Sequence, residues 1–188
     1  MKIRFTYGLN LFLLALVCCF SSFAQTSSKS QTVEVPFEFY RNEIVLQVKV
    51  NGKGSFNMML DTGTDPSAVD LKTAKEIGLK LNPIGQQATG GGTSVNLTYE
   101  TELLLVEVGS LKAKNVEALA IDLSKISERL GKPLHGILGH SLLNNRIVQI
   151  DYPKRVVRFY SKSPFPKTVK QSIARIAHRC LFVTTTTS

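Results

Sequence analysis

A chain of 188 residues, 43% of them hydrophobic, is long enough for one folded core with appendages. Its net charge of +9 is lopsided: all 14 acidic residues lie at or before Asp151, while Lys154, Arg155, Arg158, Lys162, Lys167, Lys170, Arg175 and Arg179 follow it or one another unopposed. The body is therefore near neutral and the tail strongly basic, an asymmetry that suits a membrane or nucleic-acid contact. The tail has few aromatic residues for bases to stack on, which together with the N-terminal export pattern excludes nucleic acid from the expected partners.

The N-terminal segment stands apart from the core. Lys2 and Arg4 form a charged start, Leu9 to Phe20 an apolar run, and Ser22-Phe23-Ala24 a small-residue cleavage site before Gln25. This is the pattern of a secretory signal peptide over residues 1–24. The run falls short of the roughly 20 residues that a spanning helix needs. Val17-Cys18 is a poor context for an acylated Cys19, so export to the periplasm or beyond is the expectation. Cys18 and Cys19 would leave with that peptide, and Cys180 alone cannot make a disulfide within one mature chain. It reads as a small buried hydrophobe or an interchain thiol.

Residues 25–32, rich in Ser, Thr and Gln, read as a disordered linker. A domain over residues 33–161 follows. Val33, Val35, Phe37 and Phe39 alternate as one strand, and Ile44, Leu46, Val48 and Val50 as another. Asn51-Gly52-Lys53-Gly54 predicts a hairpin turn, with the chain returning through Phe56, Met58 and Leu60. Asp70 is placed to cap a short helix carrying Leu71, Ala74 and Ile77, stopped by Gly78. Thr89 to Thr93 reads as a glycine-rich hairpin tip, with Val95, Leu97 and Tyr99 on one face of the strand that leaves it.

Leu103 to Val108 and Val116 to Ile121 are apolar runs suited to buried strands. Leu123 to Leu130 reads as a short surface helix ended by Gly131-Lys132-Pro133, and Ser141 to Asn145 as another short helix. A last hairpin, Ile147 to Asp151 and Val156 to Tyr160, turns at Pro153. Many closely spaced strands with little helix predict an all-β, closed or partly closed barrel. Residues 162–188 form the basic tail. Over Thr168 to Leu181 its apolar residues recur at helical spacing, which predicts an amphipathic helix. Thr184 to Thr187 shows no strand pattern. A solvated tail and a weak membrane-surface contact are both open readings.

The chemistry-bearing residues begin with Asp61-Thr62-Gly63, a carboxylate at the end of a buried strand in a turn of small residues. Alone, the tripeptide says little, because its residues are common. It is followed by Gly90-Gly91-Gly92 at a hairpin tip, then by Ile137-Leu138-Gly139 ending an apolar strand. In that order, over roughly Val33 to Tyr160, these elements resemble the retropepsin-like aspartic proteases.

The resemblance implies a closed β-barrel with short helices, one lobe per chain. It also implies an endopeptidase in which two Asp61 carboxylates, one from each protomer of a homodimer, share a proton and activate water. With one such motif per chain, the second carboxylate must come from another copy. By the same resemblance Thr62 hydrogen-bonds across the dimer axis, and Gly63 lets the backbone turn sharply and approach substrate. Gly90, Gly91 and Gly92 form the tip of a lid, and Ile137, Leu138 and Gly139 support the catalytic loop. His140 stands where viral members carry an Arg that pairs with an Asp in the place of Asp65, so an Asp65–His140 contact is expected, and Thr64 stands where Ala or Ser is more usual.

A peptide or protein is the implied partner, and no cofactor is implied. Competing motifs fail. Gly139-His140-Ser141-Leu142-Leu143 lacks the closing glycine of a nucleophile elbow. The glycines at 90–92 lack the Gly-Lys-Ser/Thr of a phosphate loop, and His135, His140 and His178 have no zinc-protease spacing, so no metal is expected. The alternative function is a retropepsin-like domain that binds peptides or partners without cutting them.

Overall fold

The computed structural model describes the backbone of residues 32–88, 95–161 and 181–185, and the side chains of 32–84 and 97–161. The signal-peptide segment, Gln25 to Gln31, the Gly90-Gly91-Gly92 tip and most of the basic tail lie outside the described residues. Thr32, which the sequence assigns to the linker, is the first residue of β1 (Thr32–Pro36).

The predicted first strand divides in two. β1 and β2 (Glu38–Tyr40) separate at Phe37, whose N–H donates to Arg155 O at 2.9 Å and leaves its neighbours to different sheets. β3 (Glu43–Val50) and β4 (Lys53–Leu60) pair antiparallel around a turn with Asn51 at φ 53° and Gly52 at φ 75°. Two consecutive positive φ values match the twist of the flanking strands, which is why Asn-Gly suits this turn. Asn51 also fixes the tip to a distant strand: its Oδ1 accepts the Leu105 N–H at 2.9 Å.

β5 (Ser67–Asp70) runs into α1 (Leu71–Glu76), with Asp70 as its cap. Asp70 Oδ2 accepts the Thr73 N–H at 3.1 Å, satisfying one of the open donors of the first turn. The hairpin of β6 (Asn82–Ala88) and β7 (Val95–Val108) follows, then β8 (Leu111–Ile121) and α2 (Ser124–Leu130). Next come β9 (Gly136–Leu138), α3 (His140–Leu143), β10 (Ile147–Asp151) and β11 (Val156–Tyr160).

Among the described residues the larger sheet has the order β2-β3-β4-β9-β5-β8-β7-β6, and β3 also pairs with β7. That extra pairing returns the ladder to its start, so β3, β4, β9, β5, β8 and β7 form a ring. The expected all-β class with short helices holds. A smaller sheet has the order β1-β11-β10-β12, where β12 (Leu181–Thr185) lies parallel to β10. This strand corrects the sequence reading, which had Leu181 ending a helix and no strand at Thr184. The rest of the predicted helix lies outside the described residues. Parallel pairing depends on a distant segment and leaves little local signal.

Two buried clusters divide the apolar residues. The main core joins the two sheets through Leu46, Val48, Met58, Leu138, Val157 and Phe159. The second contains Val45, Met59, Ala68 and Ile137 with Leu123 and Leu130 at the ends of α2. The strands β3, β4, β9 and β5 are thus apolar on both faces, because each contributes alternate residues to both clusters. Asp61 directly follows β4, one of these strands buried on both faces.

Candidate active site

Asp61 is the first residue beyond β4. Its N–H donates to Leu138 O at 3.1 Å, continuing the parallel β4–β9 register by one residue. Both carboxylate oxygens are held by the loop that follows: the Gly63 N–H donates to Oδ1 at 2.8 Å and the Thr64 hydroxyl to Oδ2 at 2.8 Å. The unusual Thr64 therefore has a use that Ala could not supply. Gly63 does not adopt a positive φ, and a β-carbon there would meet only Asp61 Oδ1, at 3.4 Å. Its missing side chain leaves the space above the carboxylate open; it is not needed to relieve the backbone, as a sharp turn would require.

A cleft of about 880 Å³ opens beside this loop, with Asp61, Gly63, Thr64 and Asp65 along one side. Its floor is the second apolar cluster, including Met59, Ala68 and Ile137, and its far wall is α2. Sequence reasoning treats α2 as a surface helix, yet Ile126 and Leu130, four residues apart, face the cleft. Asp122 sets the start of that helix: the Ser124 N–H, donating at 2.8 Å, and the Ser124 hydroxyl hold its carboxyl below the ordinary range. Arg41, in the β2–β3 turn, donates to Arg129 O at 2.7 Å and pins the other end. No sequence motif singles out Arg41, because its partner lies 88 residues away.

The remaining expected residues divide. Ile137 and Leu138 are buried, one in each cluster, and Gly139 and His140 follow directly behind the Asp61 loop, where the His140 N–H donates to Thr64 O at 2.8 Å. The Thr62 side chain is exposed. Asp65 and His140 do not form the expected pair: among the described residues the ion pairs involve other groups. Asp65 is exposed along the cleft, whereas His140 is half-buried at the start of α3 and does not line it. Among the described residues no group of three or more His, Cys, Asp or Glu is arranged to hold a metal ion.

Two serines were missed. Ser67, fully buried, and Ser141 form a hydroxyl pair behind the loop with oxygens 2.7 Å apart. The available signal was a serine heading a buried strand, where a hydroxyl must find a partner.

A family model described as aspartyl protease matches residues 46–142, which span Asp61 through the Gly139 segment. No curated protein matches. Among solved structures, a retropepsin-like aspartic protease from Rickettsia conorii is 21% identical, covering 70% of this chain and 92% of its own, with a TM-score of 0.46. The EIAV protease, solved in complex with an inhibitor, is 17% identical, covering 64% of this chain and 90% of its own, with a TM-score of 0.35. With more than half of its length matched by that model, the chain belongs to the aspartyl protease family.

Proposed function

We propose that the protein is an aspartic endopeptidase that works as a homodimer, with one Asp61 from each chain. Two facing carboxylates cannot both ionise easily, so they share a proton. The ionised one takes a proton from water as it attacks the peptide carbonyl, and the protonated one gives its proton to the developing oxyanion. The carboxyl that took the water proton then passes it to the leaving amine, while the other takes back the hydroxyl proton as the carbonyl reforms. The single observation that carries this reading is the held carboxylate of Asp61, oriented through both oxygens at the edge of a cleft large enough for peptide side chains.

The dimer is supported by arithmetic and exposure. Each chain has one Asp-Thr-Gly, and Thr62 is exposed beside it, free to meet its counterpart across a two-fold axis. The substrate would be a peptide or protein, and the leader-like residues 1–24 support action after export, in the periplasm or outside the cell. The test is a peptide-library digest by protein beginning at Gln25, from acidic to neutral pH, beside Asp61→Asn. Cleavage by the first and none by the second supports the peptidase. Peptide binding without cleavage at any pH would favour the non-cutting alternative.

A further inference from the structure

A serine that heads a buried strand must place its hydroxyl without help from water. Ser67, first residue of β5, is 0% exposed. Its Oγ accepts the Gly139 N–H at 3.0 Å and lies 2.7 Å from Ser141 Oγ. The Ser67 N–H donates to Ser141 Oγ at 2.9 Å, and Ser141 Oγ also lies 2.7 Å from Glu117 O on β8. A carbonyl only accepts, so the one proton of Ser141 goes to Glu117 O, and the proton of Ser67 goes to Ser141. The chain of bonds therefore runs one way, from Gly139 N–H through both hydroxyls to β8, with each donor used. Such a network strengthens along its length and holds one geometry.

What the network holds is the segment that holds the catalytic loop. Leu138 O receives the Asp61 N–H, and the His140 N–H donates to Thr64 O. The Thr64 hydroxyl in turn donates to Asp61 Oδ2. Gly139 lies between these two clasps, and Ser67 fixes it. We infer that Ser67 and Ser141 are positioning residues for the Asp61 carboxylate, acting through the backbone of Leu138 to His140. The inference rests on the peptidase reading for its kinetic consequence, though not for its structural one.

The test compares Ser67→Ala, Ser141→Ala and the double variant with Ser141→Thr, which keeps the hydroxyl. Val106→Ala, a buried change in β7 that does not line the cleft, controls for lost stability. In the Ser→Ala variants kcat should fall by roughly tenfold to a hundredfold, as for a displaced catalytic group, with KM nearly unchanged. The double variant should lose little more than a single one, since either change breaks the same chain. Ser141→Thr should stay near wild type, and Val106→Ala should keep its kcat despite lower stability. Amide hydrogen exchange at Asp61, Gly139 and His140 should quicken in the Ser→Ala variants, while Val148 and Val157 keep their wild-type rates. That second readout needs no turnover: if no peptide is cut, the peptidase reading fails and exchange still decides this inference. Unchanged exchange at those three amides, or a kcat loss matched by Val106→Ala at equal stability, overturns it.

Discussion

Gly139 passes so close to Thr64 that a β-carbon on it would lie 2.3 Å from the Thr64 carbonyl oxygen and 3.0 Å from its carbon. The obstacle is backbone, which cannot swing aside as a flexible side chain would. Gly139→Ala must therefore push the Asp61 loop away from β9. Overpacking of this kind costs about 1–3 kcal/mol, and displacement of Asp61 should cost about a hundredfold in activity. Denaturant unfolding and cleavage rates check both; wild-type activity in the variant would show that the loop has slack.

Arg41 and α2 make a milder prediction. The Arg41 guanidinium is exposed and holds the end of α2 through Arg129 O, so Arg41→Ala should cost about 0.5–1.5 kcal/mol, a typical net hydrogen bond. Because α2 is a wall of the cleft, KM should rise while kcat stays close to wild type. Steady-state kinetics on any cleaved peptide decide it. An unchanged KM would mean that burial of Leu130 anchors the helix without help.

Acid should loosen the smaller sheet. Burial alone would raise the Asp151 carboxyl, but the Lys154 N–H and the Arg158 guanidinium outweigh it and hold it below the ordinary value. Arg158 also reaches Glu34 on β1 at 2.6 Å, so one cation joins β1, β10 and β11, and its own value is raised, chiefly by Asp151. A depressed folded value gives stability that is full above the unfolded Asp value of about 3.9 and is lost as pH falls through the folded value. Asp151→Asn should thus be less stable than wild type at neutral pH and equal to it at the acid extreme. Denaturant midpoints across that range test this, and a gap that stays constant with pH would contradict it.

Much of the fold was legible because its signals are local. The alternation of Ile44 to Val50, the Asn51-Gly52 turn and the Asp70 cap each depend on neighbours within a few residues. The break at Phe37 was not legible, since it is caused by the Arg155 carbonyl far along the chain. Neither was β12, whose only described strand partner is β10. At the site, Asp61 and Gly139 could be read from their motifs. Ser67 and Ser141 could not be paired from sequence, because 74 residues separate them and they meet only once β9, and the α3 that follows it, pack against β5 and β8. The Asp65–His140 contact that the resemblance implied is absent within the chain for a related reason: the backbone leaves Asp65 exposed along the cleft and turns His140 into α3.

Specific activity should fall on dilution below the dimer dissociation constant, because half a site has one carboxylate. Sedimentation alongside the assay locates that constant. Constant specific activity in a range where sedimentation reports monomer would require a complete site in one chain.

The most direct test of the two-carboxylate site is to mix wild-type chains with Asp61→Asn chains, allow subunits to exchange, and assay at fixed total protein. If the site needs one Asp61 from each chain, mixed dimers are inactive and activity follows the square of the wild-type fraction. An equal mixture then retains about a quarter of the wild-type rate. A linear fall, with about half the rate left in the equal mixture, would mean that each chain carries its own complete site and would contradict the account.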